Sequence, residues 1–153
     1  MLFDHLGVVV RDLAKARASL QSTLGVREWS AEFQDPINGV TLQFGRDGSG
    51  MCYELLVPFG PSGPLHSAAA TGRAILNHVA YRVTDLAASG RQLRDSGYAP
   101  TATPKPAIAY GGRNIQFFVS PLRFIVELIE APDHQHVFAW APRSAVHGNS
   151  DLQ

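Results

Sequence analysis

The chain has 153 residues, 45% of them hydrophobic, which is the length of about one domain and enough to bury a core. Thirteen basic residues balance thirteen acidic ones with no basic stripe, which argues against a nucleic-acid partner. The single cysteine excludes an intrachain disulfide and suits a reducing, cytoplasmic compartment, and no apolar run reaches the roughly 20 residues of a membrane span.

Residues 3–10, in "FDHLGVVV", form an apolar, β-branched-rich strand that carries His5. Asp12 follows as a helix N-cap, and Leu13, Ala16, Leu20 and Leu24 recur at helical spacing before the stop at Gly25. Strands are predicted near 26–33, 38–45 and 50–57, divided by the turn stretches "DPING" and "RDGSG". The Pro/Gly-rich segment 58–74 reads as a linker holding at most a short helical turn. The pattern then restarts: a strand over 75–83 carrying His78, a cap at Asp85, a helix to about Ser96, a stop at Gly97. Strands are expected near 98–102, 113–119 and 123–130. The tail, 132–153, has no periodicity; its "HQH" and His147 read as solvated polar residues near a chain end.

The restart is a repeat. Shifting the chain by 73 residues aligns His5 with His78, Asp12 with Asp85, Leu20 with Leu93, Gln43 with Gln116, Phe44 with Phe117 and Glu54 with Glu127. Each half is βαβββ, one module over 2–57 and one over 75–131. The expected fold is α+β, two tandem modules in one domain (1–131), forming an open, eight-stranded, barrel-like cleft.

In each half a strand histidine is followed 49 residues later by a glutamate among apolar residues. A lone carboxylate there would be costly without a partner. Two imidazoles and two carboxylates instead make a neutral site around one divalent ion. His5, Glu54, His78 and Glu127 are the expected ligands, and mixed N/O donors suit Mn, Fe, Co, Ni or Zn. Arg82, four residues after His78, falls on the ligand face by strand alternation and is a candidate for a substrate carboxylate or phosphate. Gln43, Gln116 and Arg113 are further candidates for the cleft. Cys52 shares a face with Glu54 and reads as a packed small residue.

At these residues the chain resembles the vicinal oxygen chelate superfamily, which includes glyoxalase I, methylmalonyl-CoA epimerase, extradiol dioxygenases and the fosfomycin and bleomycin resistance proteins. "YELLVPFGPSGPL" and "YGGRNIQFFVSP" are similar to stretches of its methylmalonyl-CoA epimerase-like branch. Two stretches depart from that branch. "SPLRF" replaces its His-Pro-Lys and glycine pair, and "GVTLQFG" offers Gln43 where one member type has a proton-transferring glutamate. The resemblance implies a metal-dependent isomerase or epimerase acting on a small acid or acyl thioester, acyl-CoA among them. Glu127 or Glu54 would move the proton. As alternatives it admits a glyoxalase I-like lyase and, second, a non-enzymatic ligand-binding or resistance protein, against which four intact ligands count; it allows a homodimer.

Overall fold

A computed structural model describes residues 1–59 and 75–141. The linker beyond Phe59, with its expected helical turn, lies outside the described residues, as does His147. β1 (Leu2–Val9) leads to α1 (Leu13–Thr23), then β2 (Glu28–Asp35), β3 (Val40–Arg46) and β4 (Cys52–Pro58). The second half has β5 (Ile75–Arg82), α2 (Leu86–Asp95), β6 (Ala99–Pro100), β7 (Lys105–Ala107), β8 (Arg113–Val119) and β9 (Ile125–Ile129). A final short strand, β10 (Ala139–Trp140), lies in the tail.

The caps form as their residue types demand. Asp12 accepts from the Lys15 amide at 3.0 Å and Asp85 from the Ala88 amide at 2.7 Å, each satisfying a free N–H of a helix start. Among the described residues neither helix is long and apolar enough to cross a membrane.

The ten strands of the described residues join one open mixed sheet, ordered β10-β2-β3-β4-β1-β5-β9-β8-β6, with β7 also paired to β8. β1 runs parallel to β4, β5 runs parallel to β9, and the halves meet where β1 pairs antiparallel with β5. The modules therefore share one continuous sheet rather than two facing ones. The 73-residue offset relates β1 to β5 and β3 to β8 residue for residue. It fails at β2, whose counterpart is split into β6 and β7. Pro100, Pro104 and Pro106 supply no ladder N–H there, so one long strand cannot form. That split, with β10, makes ten strands among the described residues where the sequence predicts eight.

Strand alternation sorts the residues into two layers. Leu55, with Val10, Val26 and Trp29, packs on the face against Leu13, Ala16 and Leu20 of α1. Val126 and Leu128, with Phe118, pack against Leu86 and Leu93 of α2. The other face carries Val9, Phe44, Leu56, Ala80, Ile115 and Ile129. The ligand candidates share that second face, on the four adjacent central strands β4, β1, β5 and β9.

Candidate metal centre

His5 and His78 meet across the β1–β5 pair with their Nε2 atoms 3.0 Å apart, and both side chains are buried. Glu54 Oε2 lies 3.2 Å from His5 Nε2 and 3.3 Å from His78 Nε2. Glu127 Oε2 lies 3.4 Å and 3.1 Å from the same two atoms. Each histidine also stands edge-on to a phenylalanine, His5 to Phe44 and His78 to Phe117, both at 5.3 Å and 72°. The sequence repeat is thus a geometric pseudo-twofold at the site.

Two β-bulges set the rings. Between Phe3 and His5 the register skips Asp4, and between Gly7 and Val8 it skips Asn77 on β5. Each skipped residue precedes a histidine and turns beside it instead of to the opposite face. Asp4 Oδ2 accepts from His5 Nδ1 at 2.9 Å, and Asn77 Oδ1 accepts from His78 Nδ1 at 3.0 Å. With Nδ1 engaged in this way on both rings, the two Nε2 atoms face each other across the site. Glu127 Oε2 is buried without a hydrogen-bond partner.

Two imidazole nitrogens and two carboxylate oxygens converging in a buried space could hold one cation between them. Ligands about 2.1 Å from one ion stand about 3.0 Å apart at octahedral angles and about 3.4 Å apart at tetrahedral ones. The five separations above span the same interval, and all four ligand atoms lie within 4.8 Å of one another. The donor set fits a first-row divalent ion. Electrostatics agree. Burial alone would lower the proton affinity of both histidines. The opposing carboxylates outweigh it, Glu54 the main one at His5, and raise both pKa values, His5 well above the ordinary range. Burial would raise the Glu54 carboxyl, but the two histidines bring it down to about 2. The site draws positive charge.

Gly7 makes room for this arrangement. It pairs with Glu54 on one side and His78 on the other, and a Cβ there would fall 2.1 Å from His78 Cε1.

A cavity of about 280 Å³ opens beside the cluster, with Glu54, His78 and Glu127 in its lining; His5 lies behind them, fully buried. The walls are mostly apolar, including Leu42, Leu56, Ile115 and Phe117. Of the expected substrate-binding residues only Gln116 borders this cavity, its amide donating to Ala102 O at 2.8 Å. Gln43 instead turns to donate to Ser30 O at 2.8 Å. Arg113 is exposed at the Glu130 carbonyl. Arg82 is on the ligand face but is not free for substrate. Its Nε makes an ion pair with Asp4 Oδ1 at 2.9 Å, out of line for a hydrogen bond, and its Nη1 donates to Pro132 O and His134 O. A buried carboxylate within reach takes the cation first. Cys52 is buried, and burial pushes its thiol up to about 12.

Three residues escape the sequence reading: Asp4, Tyr110 and His136. Tyr110 donates to Asp4 Oδ2 at 2.7 Å, and His136 Nε2 donates to the same oxygen at 2.9 Å. The "HQH" stretch is therefore not simply solvated: His136 is half-buried, its ring 3.9 Å from that of Phe44. The signals for Asp4 are its place before His5 and its alignment with Asn77, but strict alternation turns it outward.

A family model described as the Glyoxalase/Bleomycin resistance protein/Dioxygenase superfamily matches residues 4–118. An ethylmalonyl-CoA/methylmalonyl-CoA epimerase of Cereibacter sphaeroides is 30% identical over 128 residues, covering 83% of this chain and 93% of that protein. The crystal structure of methylmalonyl-CoA epimerase from Mycobacterium tuberculosis superposes with a TM-score of 0.69 at 25% identity, over 83% of this chain and 85% of that one. A methylmalonyl-CoA epimerase in complex with methylmalonyl-CoA and NH4+ has the same fold, with a TM-score of 0.70 at 20% identity over 92% and 98%.

Proposed function

Because the chain belongs to the glyoxalase/bleomycin resistance protein/dioxygenase superfamily, we propose that it is a metal-dependent, epimerase-like enzyme. It moves the proton on the carbon next to the carbonyl of an acyl thioester, with acyl-CoA as the substrate class. The observation that carries this reading is the convergence of two imidazole nitrogens and two carboxylate oxygens beside an apolar cavity. The relatedness to a curated epimerase over most of both chains supports it.

His5, Glu54, His78 and Glu127 would hold one divalent ion, of Mn, Fe, Co, Ni or Zn. When bound, it supplies Lewis-acid stabilisation of negative charge developing on a substrate oxygen. The chain's own residues supply the rest. Glu127 lines the cavity, and its carboxylate, partly released from the ion, would accept the proton. Glu54, its pseudo-twofold mate, borders the same cavity and is the second proton-transfer group. Gln43 is excluded from that role by its amide chemistry and its turn toward Ser30. The apolar walls exclude water from the exchanging carbon.

Incubation with methylmalonyl-CoA and related thioesters in D2O, with added divalent metal, tests the proposal. Deuterium should enter at the carbon next to the carbonyl. The panel includes a thiol–aldehyde adduct, because two site carboxylates with no third base equally serve a glyoxalase I-like isomerisation. No uptake from any thioester, together with turnover of the adduct, would transfer the assignment to that lyase class. No uptake from either would leave a binding protein.

A further inference from the structure

We infer that the C-terminal strap, residues 132–141, is part of the metal centre: His136, acting through Asp4, is a positioning residue for His5. The inference rests on the metal-site reading above and concerns which groups hold its ligands in place.

The strap leaves β9 in the second module and crosses to the first, where Ala139 and Trp140 pair with Trp29 and Glu28 of β2. On the way it touches the His5 side of the site by three routes. The His136 Nε2–H reaches Asp4 Oδ2, the oxygen that also receives His5 Nδ1–H and the Tyr110 hydroxyl. The His136 ring lies over Phe44, which stands edge-on to His5. The carbonyls of Pro132 and His134 hold the Arg82 guanidinium, whose Nε faces the other Asp4 oxygen. Asp4 thus has one oxygen shared by three donors and the other against a cation. Its carboxylate cannot rotate without breaking several contacts at once.

A carboxylate behind a ligating histidine fixes the ring, selects the tautomer with the lone pair on Nε2 and makes that nitrogen more basic. His78 has a plainer support. Asn77 occupies the place of Asp4 and Phe117 that of Phe44. Among the described residues no segment does for His78 what the strap does for His5. The strap therefore breaks the pseudo-twofold and stiffens one of the two imidazole arms. Such outer supports are typically worth about 10–100-fold in metal affinity.

The test compares full-length wild type with His136→Ala, His136→Phe, His136→Gln and Asp4→Asn. Phenylalanine keeps the ring on Phe44 without the N–H, and glutamine restores a donor without the ring. Circular dichroism establishes that each variant folds. Cobalt and zinc affinities are read by competition with a chromophoric chelator, and the His5 Nδ1–H hydrogen bond to Asp4 by 1H and 15N chemical shifts in the metal-free protein. Affinity should fall about 10–100-fold in His136→Ala, His136→Phe and Asp4→Asn and recover in His136→Gln. In the metal-free protein the first three should also show a weakened His5 Nδ1–H hydrogen bond. Wild-type affinity and a wild-type His5 Nδ1–H hydrogen bond in both His136→Ala and His136→Phe would overturn the inference while leaving the metal site standing. A wild-type chain that binds neither ion would overturn both.

Discussion

Gly7→Ala adds a single methyl group, and the structure says where it goes. The new Cβ would sit 2.1 Å from His78 Cε1, 2.3 Å from Nε2 and 2.5 Å from Nδ1, inside the ring's van der Waals surface. Ordinary contact begins at 3.4 Å, so the ring must retreat by 3.4 − 2.1 = 1.3 Å. It has little room, because His78 is 3% exposed, tied to Asn77 and edged by Phe117. Overpacking of this kind costs about 1–3 kcal/mol, a fall of about 2–12 °C in melting temperature for a chain of this size. The functional loss is larger. Metal ligands must lie within about 0.2 Å of their proper distances, so a ring displaced by 1.3 Å is no longer a ligand. Affinity should drop by more than the roughly 100-fold ceiling of outer-shell changes. Metal content after chelator-free purification and a competition titration measure this, with thermal melts alongside. Gly7→Ala/His78→Ala should recover the lost stability, because the clash partner is gone, without recovering metal. A Gly7→Ala protein with wild-type melting temperature and metal affinity would refute the reasoning. Ala80, at the pseudo-equivalent position between His5 and Glu127, accepts its methyl already, so Ala80→Gly should leave metal content intact.

Glu127→Gln should retain most metal affinity, since an amide oxygen can still ligate, yet slow proton exchange by about 10²–10⁴-fold; equal losses in both would make Glu127 a ligand only. A divalent ion at 100 times its dissociation constant should stabilise the wild type by about 2.7 kcal/mol in thermal or denaturant unfolding, and a chelator should reverse the gain. The same addition should do nothing for His78→Ala. Cys52, with its thiol near 12, should be about 10⁻⁴ thiolate at pH 8 and resist alkylation until the protein unfolds; rapid stoichiometric labelling of the native chain would contradict that burial.

Much of this architecture is legible in the sequence because it depends on local periodicity and a repeat. Period-two strands, Asp caps and the 73-residue offset are properties of short segments. Two copies of a segment with the same apolar pattern fold alike wherever they sit. The four ligand candidates follow the same logic: charge and imidazole at matched strand positions among apolar neighbours require a common partner. The split of the β2 counterpart is also written locally, in Pro100, Pro104 and Pro106, but its effect depends on whether β8 demands a donor there.

Tertiary structure alone decides the surroundings of those ligands. Whether Arg82 meets substrate or Asp4 depends on a bulge that rotates Asp4 inward, and a bulge exists only in the pairing of two strands. His136 is 131 residues from His5 along the chain, and the strap's route to β2 brings it to the Asp4 carboxylate. Gln43 and Gln116 occupy equivalent positions in sequence, and each amide is taken by a backbone carbonyl, Ser30 O and Ala102 O, that no local pattern announces. Sequence determined which side chains can bind an ion, since that is a property of their chemistry and period. Which of their neighbours are already engaged was decided by long-range contacts, because a hydrogen bond to a distant residue leaves no period behind.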